Sequence, residues 1–81
     1  MLRIHPAARK HGIADADIKH AVKYAMTIED SDDWTRLYLG PARNAALLEV
    51  ITVRRGRKPE MAIHAMTMRP RCERIFLGDR Q

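Results

Sequence analysis

The chain has 81 residues, which is enough for one domain with a small hydrophobic core and too few for two. Its hydrophobic fraction of 46% is typical of a globular protein and argues against wholesale disorder. The single cysteine, Cys72, excludes an internal disulfide framework. No apolar run is long enough for a signal peptide or a membrane span, so we expect a soluble, cytoplasmic protein that does not enter the membrane.

The formal net charge is +5, and it is concentrated in one part of the chain. Residues 54–74 contain two acidic side chains, Glu60 and Glu73, against seven basic ones: Arg54, Arg55, Arg57, Lys58, Arg69, Arg71 and Arg74. This segment therefore accounts for the whole net charge. A localised basic patch indicates a phosphate-bearing partner such as nucleic acid, although an acidic protein would satisfy the same field.

The N-terminal part of the sequence predicts a short strand over 1–5 and a short helix over 6–11 that begins at Pro6 and ends at Gly12. Asp15 is predicted to cap a second helix. Its apolar stripe has helical spacing and consists of Ile18, Ala21, Val22, Ala25 and Met26. The residues predicted to face away from this stripe are Lys19, His20, Lys23 and Tyr24.

The rest of the chain alternates between strand-forming runs and turn signals. Residues 29–33 read as an acidic loop, and 54–60 as a basic hairpin loop. Strands are predicted over 34–39, 46–53 and 61–68, and a final helix from Pro70 to about Leu77. Short connections favour an α+β fold: a small antiparallel sheet of three to four strands with two N-terminal helices and one C-terminal helix.

The junction between the last strand and the last helix is built like a phosphate cradle. A helix N-terminus attracts anions, and guanidinium groups bind phosphate oxygens in pairs. Arg69, Arg71 and Arg74 surround this junction, and Thr67 offers one more donor. RNA cleavage also needs an acid and a base, which His64 or Glu73 can supply without a metal or other cofactor.

Structural interpretations of the same residues remain open. The three arginines can serve solubility or partner contact, and Glu73 can simply pair with an arginine of its own helix. His64 alternates with Ala62 and Met66, which is also typical of a core histidine, and strict alternation would place it opposite Thr67 and Arg69.

Two further basic groups have the same ambiguity. The residues of the hairpin loop either are merely solvated or bind an RNA backbone: Arg54, Arg55, Arg57 and Lys58. Lys10 and His11 either stabilise a helix C-terminus as cations or contact RNA.

Three short motifs, in order along the chain, resemble those of BrnT-like toxins from bacterial type II toxin–antitoxin systems, within the RelE/ParE superfamily. They are Lys10-His11-Gly12, the segment 66–70 (MTMRP), and Glu73-Arg74, together with the run LLEVITV over 47–53. The resemblance implies metal-independent cleavage of RNA, including ribosome-bound mRNA, that arrests translation. It carries Arg69 over as an active-site residue, with Arg74 and Lys10 beside it. It also implies a small DNA-binding antitoxin of ribbon-helix-helix or helix-turn-helix type.

Three classes of function therefore compete. The first is a ribonuclease toxin, as a homodimer or in a hetero-oligomer with its antitoxin. The second is a non-catalytic basic module that binds nucleic acid or an acidic partner protein. The third is a structural domain whose charge only maintains solubility.

Overall fold

The structure, a computed structural model, describes residues 2–70. Within them the chain forms one α-helix, one 3-10 turn and a five-stranded mixed sheet. The elements are β1 (Arg3–Ile4), a 3-10 turn (Pro6–Arg9), α1 (Asp15–Lys23), β2 (Thr27–Asp30), β3 (Thr35–Pro41), β4 (Leu47–Val53) and β5 (Met61–Thr67). The spatial order is β1-β5-β4-β3-β2; β1 is parallel to β5, and the other neighbours are antiparallel.

Helix α1 packs on one face of the sheet, here called the helix face. Ile18 and Ala21 of the helix meet a set of buried strand side chains that form the main core: Tyr38, Leu48, Val50, Ala62 and Ala65. A close contact makes this packing possible at Gly40 of β3. A Cβ atom there would lie 2.9 Å from the Cα atom of Ala25 and closer still to the carbonyl oxygen of Ala21. The opposite face, here called the far face, has a smaller cluster around Leu39 and Met68.

A β-bulge in β5 decides which side chains reach the far face. Ile51 pairs with His64, but the next residue, Thr52, pairs with Ala62, so Ile63 is the extra residue. The bulge places Ala62 in the core under α1 and His64 on the other face. The expectation that His64 continues the alternation of Ala62 is therefore wrong.

The predicted arrangement of a three- to four-stranded antiparallel sheet with two N-terminal helices and one C-terminal helix is also wrong. Residues predicted as the first helix form only the 3-10 turn Pro6–Arg9, and β1 adds a parallel strand beside β5. The predicted acidic loop lies partly in β2, where Asp30 pairs with Arg36 across the sheet. The final helix predicted from Pro70 falls outside the described residues.

Helix α1 forms where the apolar stripe predicts it, with different ends. Its N-cap is Ala14, while Asp15 lies in the first turn and accepts two hydrogen bonds from the Arg9 guanidinium, at 2.9 and 2.8 Å. The helix ends before Met26, whose N–H donates to the Leu39 carbonyl and begins the sheet pairing of β2. His20 is half-buried and donates from Nδ1 to the Pro41 carbonyl at 2.7 Å. Within residues 2–70, no helix has the length and apolar character needed to cross a membrane.

Candidate active site

A buried carboxylate stands at the centre of the far face. Glu49 lies in the middle of β4 and has 0% of its surface exposed. From side chains and main-chain groups within residues 2–70, its two oxygens accept hydrogen bonds from His64 Nε2 at 3.0 Å, and from Arg69 N at 3.0 Å, Nε at 3.0 Å and Nη2 at 2.6 Å. Burying an ionised carboxylate is expensive unless it is paired and hydrogen-bonded, and these donors supply both conditions.

Arg69 reaches Glu49 because β5 ends two residues earlier. Thr67 is the last residue of the strand, and Met68 makes one more main-chain bond, to the Leu47 carbonyl at 3.0 Å. The chain then leaves the ladder, and the main-chain N–H of Arg69 donates to Glu49 Oε2 instead of to a neighbouring strand. Strict alternation would have placed Arg69 and His64 on opposite faces. Because the strand ends at Thr67, Arg69 leaves this alternation and both side chains reach one carboxylate.

The contact with Glu49 fixes the protonation pattern of the His64 ring. A carboxylate oxygen accepts, so Nε2 of His64 carries the proton in the neutral ring. Nδ1 then holds a lone pair, or a second proton when the ring is charged. The side chain is 25% exposed, so the ring is reachable from solvent. This is the arrangement of a general acid or base whose orientation is set by a carboxylate.

A second histidine lies against His64. The rings of His11 and His64 are 6.0 Å apart between centroids and meet edge-on at 76°. His11 is exposed and follows the 3-10 turn, which packs beside β5. The fold therefore brings the His11 ring next to the His64 ring. Two neighbouring imidazoles can share the roles of acid and base.

Arg69 and Glu49 form an ion pair at 2.6 Å, and the Arg69 side chain is 37% exposed. The guanidinium therefore has a carboxylate partner within the cluster. This differs from the predicted cradle, in which the arginine charge acts on phosphate without a carboxylate partner.

The other predicted site residues lie elsewhere. Thr67 is exposed and pairs with Leu48, so it stands on the helix face and does not join the cluster. Lys10 is exposed and closes the 3-10 turn beside His11. Arg71, Glu73 and Arg74 are outside the described residues.

The basic hairpin loop is at the other end of the sheet. Strand β4 runs from Glu49 towards the loop, and Arg54 lies five residues further on, about 17 Å away at the usual rise per residue. The basic side chains of the loop are exposed: Arg54, Arg55, Arg57 and Lys58. Among the described residues of the basic patch, Arg69 is therefore separated from the basic residues of the hairpin loop.

Sequence reasoning missed Glu49, the residue that organises the cluster. The signal was present: a carboxylate inside the apolar run LLEVI shares a strand face with Leu47 and Ile51. Glutamate is almost never fully buried without a partner, so such a position predicts a cation facing it.

No three His, Cys, Asp or Glu side chains within residues 2–70 come together closely enough to hold a metal ion. No protein-family model, curated protein sequence or solved structure gives a significant match to this chain.

Proposed function

We propose that this protein is a ribonuclease that needs no metal and serves as the toxin of a bacterial type II toxin–antitoxin system. The observation that carries the nuclease proposal is the convergence of His64 and Arg69 on the buried carboxylate of Glu49. The toxin role comes from the resemblance of the short sequence motifs described above. The two parts have separate tests.

The proposed reaction is an attack within the RNA strand. His64 Nδ1 takes the proton of a ribose 2′-OH, and the oxygen forms a bond to the adjacent phosphorus. The bond from phosphorus to the 5′-oxygen breaks, and that oxygen takes a proton from His11. The products are a 2′,3′-cyclic phosphate and a 5′-hydroxyl, so atoms and charges balance without a co-reactant.

The surrounding groups support this reaction. The Arg69 guanidinium places positive charge beside the phosphorane, whose charge develops in the transition state. Glu49 acts as a positioning residue, because it accepts a hydrogen bond from His64 Nε2 and so fixes the orientation of the ring. General acid–base catalysis contributes roughly 10²- to 10⁴-fold, and we expect a loss of this size when His64 is removed.

The test is cleavage of a defined RNA in EDTA by identically purified wild type, His64→Gln and Arg69→Lys. Glutamine keeps an N–H that can donate to Glu49 but cannot transfer protons, and lysine keeps the charge but not the paired N–H groups. Arg43→Ala is the matched control, because Arg43 pairs with Asp17 on the surface away from the cluster. Circular dichroism shows whether each variant is folded.

We expect wild type and Arg43→Ala to cut and His64→Gln to lose at least about a hundredfold in rate. A folded His64→Gln that cuts at the wild-type rate would exclude the mechanism. Failure of the wild type to cut, even with ribosomes present, would exclude the nuclease proposal.

The proposed partner is a small DNA-binding antitoxin encoded by the neighbouring gene, of ribbon-helix-helix or helix-turn-helix type. A domain of 81 residues has a small core, and a partner that binds only the folded state raises its stability. We expect the melting temperature of the protein to rise in that complex. An unchanged melting temperature at saturating antitoxin would count against it.

The second candidate is a non-catalytic module that binds RNA through the hairpin loop. Its support is the exposure of Arg54, Arg55, Arg57 and Lys58 at a distance from the cluster. RNA retention that falls steeply with salt, without cleavage, would favour this candidate.

A further inference from the structure

A cavity opens at the loop end of the sheet, on the helix face and away from Glu49. Its volume is about 330 Å³, within the range of small-ligand sites. The side chains that could hold a ligand in it are Trp34, Arg36, Thr52, Arg54 and Glu60. They combine one large aromatic ring, two guanidinium groups and one carboxylate. A second carboxylate of the lining, Asp30, forms an ion pair with Arg36 at 2.6 Å.

Trp34 is an unusual residue for its position. It lies in the turn between β2 and β3 with a φ of 71°, in the left-handed region that bulky residues rarely adopt. Its side chain is also 67% exposed. Glycine or asparagine would remove the strain, and a polar side chain would remove the exposed apolar surface. Trp34 lines the cavity in spite of its strained backbone and its exposed apolar ring. This combination indicates a surface on which a planar ligand stacks.

Glu60 presents one oxygen to this cavity. Its Oε2 accepts hydrogen bonds from the Tyr38 hydroxyl and from Thr52 Oγ1, the latter at 2.5 Å. Burial, with the Glu60 carboxylate as a second cause, raises the pKa of Tyr38, so this hydroxyl stays protonated and donates at neutral pH.

The other oxygen of Glu60, Oε1, accepts no hydrogen bond from any residue in the described range 2–70. Every buried side-chain N or O atom in that range has a partner. Oε1 is therefore not a buried atom, and Glu60 is one of the residues that line the cavity.

A second cavity of about 360 Å³ adjoins the first and shares Arg54 and Glu60 with it. It adds Arg57 and Lys58, two more cations. The two cavities are together called the loop groove. One half of it contains the aromatic ring and the carboxylate, and the other half contains the cations. A nucleotide has two matching parts, a flat base that can stack and a phosphate that binds cations.

We propose that the loop groove binds a guanine nucleotide unit, either a free nucleotide or a guanosine within single-stranded RNA. The base stacks on Trp34, its N–H groups donate to Glu60, and its phosphate lies against Arg54, Arg57 and Lys58. Guanine fits best because its ring N1–H and exocyclic N2–H lie side by side, so both can donate to the single oxygen Oε1. Adenine and cytosine place a ring acceptor beside their amino group, which a carboxylate repels, and uracil has a single ring N–H.

This proposal goes beyond the nuclease proposal and does not depend on it. The loop groove and the Glu49 cluster use different residues on opposite faces of the sheet. If the protein binds nucleotide but does not cleave RNA, this proposal stands and the nuclease proposal fails. If it cleaves RNA but does not bind nucleotide, the nuclease proposal stands and this one fails.

The test uses the fact that Trp34 is the only tryptophan in the chain. Its fluorescence is titrated with GMP, AMP, CMP and UMP, and with the oligonucleotides r(UUGUU) and r(UUUUU). We expect GMP to quench it with an affinity about tenfold tighter than the other nucleotides, because only guanine satisfies the carboxylate with two donors. Glu60→Gln should abolish the preference for guanine, and Arg54→Ala should weaken all four nucleotides.

The controls are Arg43→Ala, outside both sites, and Glu29→Gln, an exposed carboxylate in β2; both should bind as wild type does. A tighter response to r(UUGUU) than to GMP assigns the site to RNA, and the reverse assigns it to the free nucleotide. Equal quenching by all four bases, no quenching at millimolar concentration, or an unchanged preference in Glu60→Gln would each overturn the proposal.

Discussion

Two glutamates, Glu49 and Glu60, illustrate how the surroundings of a carboxylate determine what it can do. Glu49 is fully enclosed on the far face and holds a histidine and an arginine with both of its oxygens. Glu60 is only partly buried at the loop end, and two hydroxyl groups hold one of its oxygens. Glu49 therefore orients the side chains of other residues. Glu60 is itself held in place by other residues, and its second oxygen is not buried.

The difference has an energetic cause. An enclosed carboxylate loses its hydration and needs positive charge close by, which is why the surroundings of Glu49 contain Arg69 and His64. Glu60 keeps contact with solvent, so two neutral donors are enough to fix its orientation. The following predictions test this contrast, beginning with the largest effect.

Arg69→Ala should be the most destabilising change, by about 3–5 kcal/mol, because it leaves the enclosed Glu49 without its cation. Urea denaturation followed by circular dichroism measures it. Combining it with Glu49→Gln should recover part of the loss, since a neutral amide needs no counter-charge. Additive losses in the double variant would show that the two side chains are not coupled, and the contrast with Glu60 would fail.

Trp34→Asn should have a smaller effect of opposite sign. Asparagine tolerates a positive φ, so we expect a gain of up to about 1 kcal/mol in the free energy of unfolding. Binding of GMP, followed by calorimetry because the fluorophore is lost, should fall in the same variant. A destabilised Trp34→Asn would mean that the ring packs for stability, and the loop groove would lose its main support.

Asp17→Asn measures how much the exposed ion pair of Asp17 and Arg43 contributes to stability, for comparison with the enclosed pair of Glu49 and Arg69. Hydrogen bonds from the Arg43 side chain and its main-chain N–H hold the pKa of Asp17 below its ordinary value of 3.8. A lowered folded-state pKa means that the pair stabilises the fold above pH 3.8 and stops doing so as the pH falls through the folded-state value.

We therefore expect the melting temperature of Asp17→Asn to lie a few degrees below that of wild type at pH 7, because exposed pairs contribute little. The two melting curves should converge below pH 3. A difference that stays constant down to pH 2 would show that the charge of Asp17 is not its cause.

Sequence patterns predicted the elements whose side chains repeat regularly. The stripe through Ile18, Ala21 and Val22 predicted α1, and the β-branched runs predicted strands close to β3, β4 and β5. Strand β2 was missed because its four residues, Thr-Ile-Glu-Asp, are too few and too acidic to show alternation.

The candidate site was predictable only in part, for physical reasons. His64 and Arg69 were identified from their chemistry, but the separation of His64 from Ala62 depends on the bulge at Ile63, and the approach of Arg69 to Glu49 depends on where β5 ends. Neither feature leaves a signal in hydrophobic periodicity. Glu49 was hidden inside a strand that otherwise reads as core, although the cost of burying a charge makes such a residue a sign of a polar cluster.

The most direct measurement compares both regions in one variant, Glu49→Gln. Its rate of RNA cleavage in EDTA and its Trp34 fluorescence response to GMP are measured on the same preparation, after circular dichroism has shown that it is folded. The account predicts a cleavage rate about a hundredfold or more below wild type, because His64 and Arg69 lose the charge that orients them, and an unchanged response to GMP. Cleavage at the wild-type rate by folded Glu49→Gln would contradict the central claim that this buried carboxylate organises an active site.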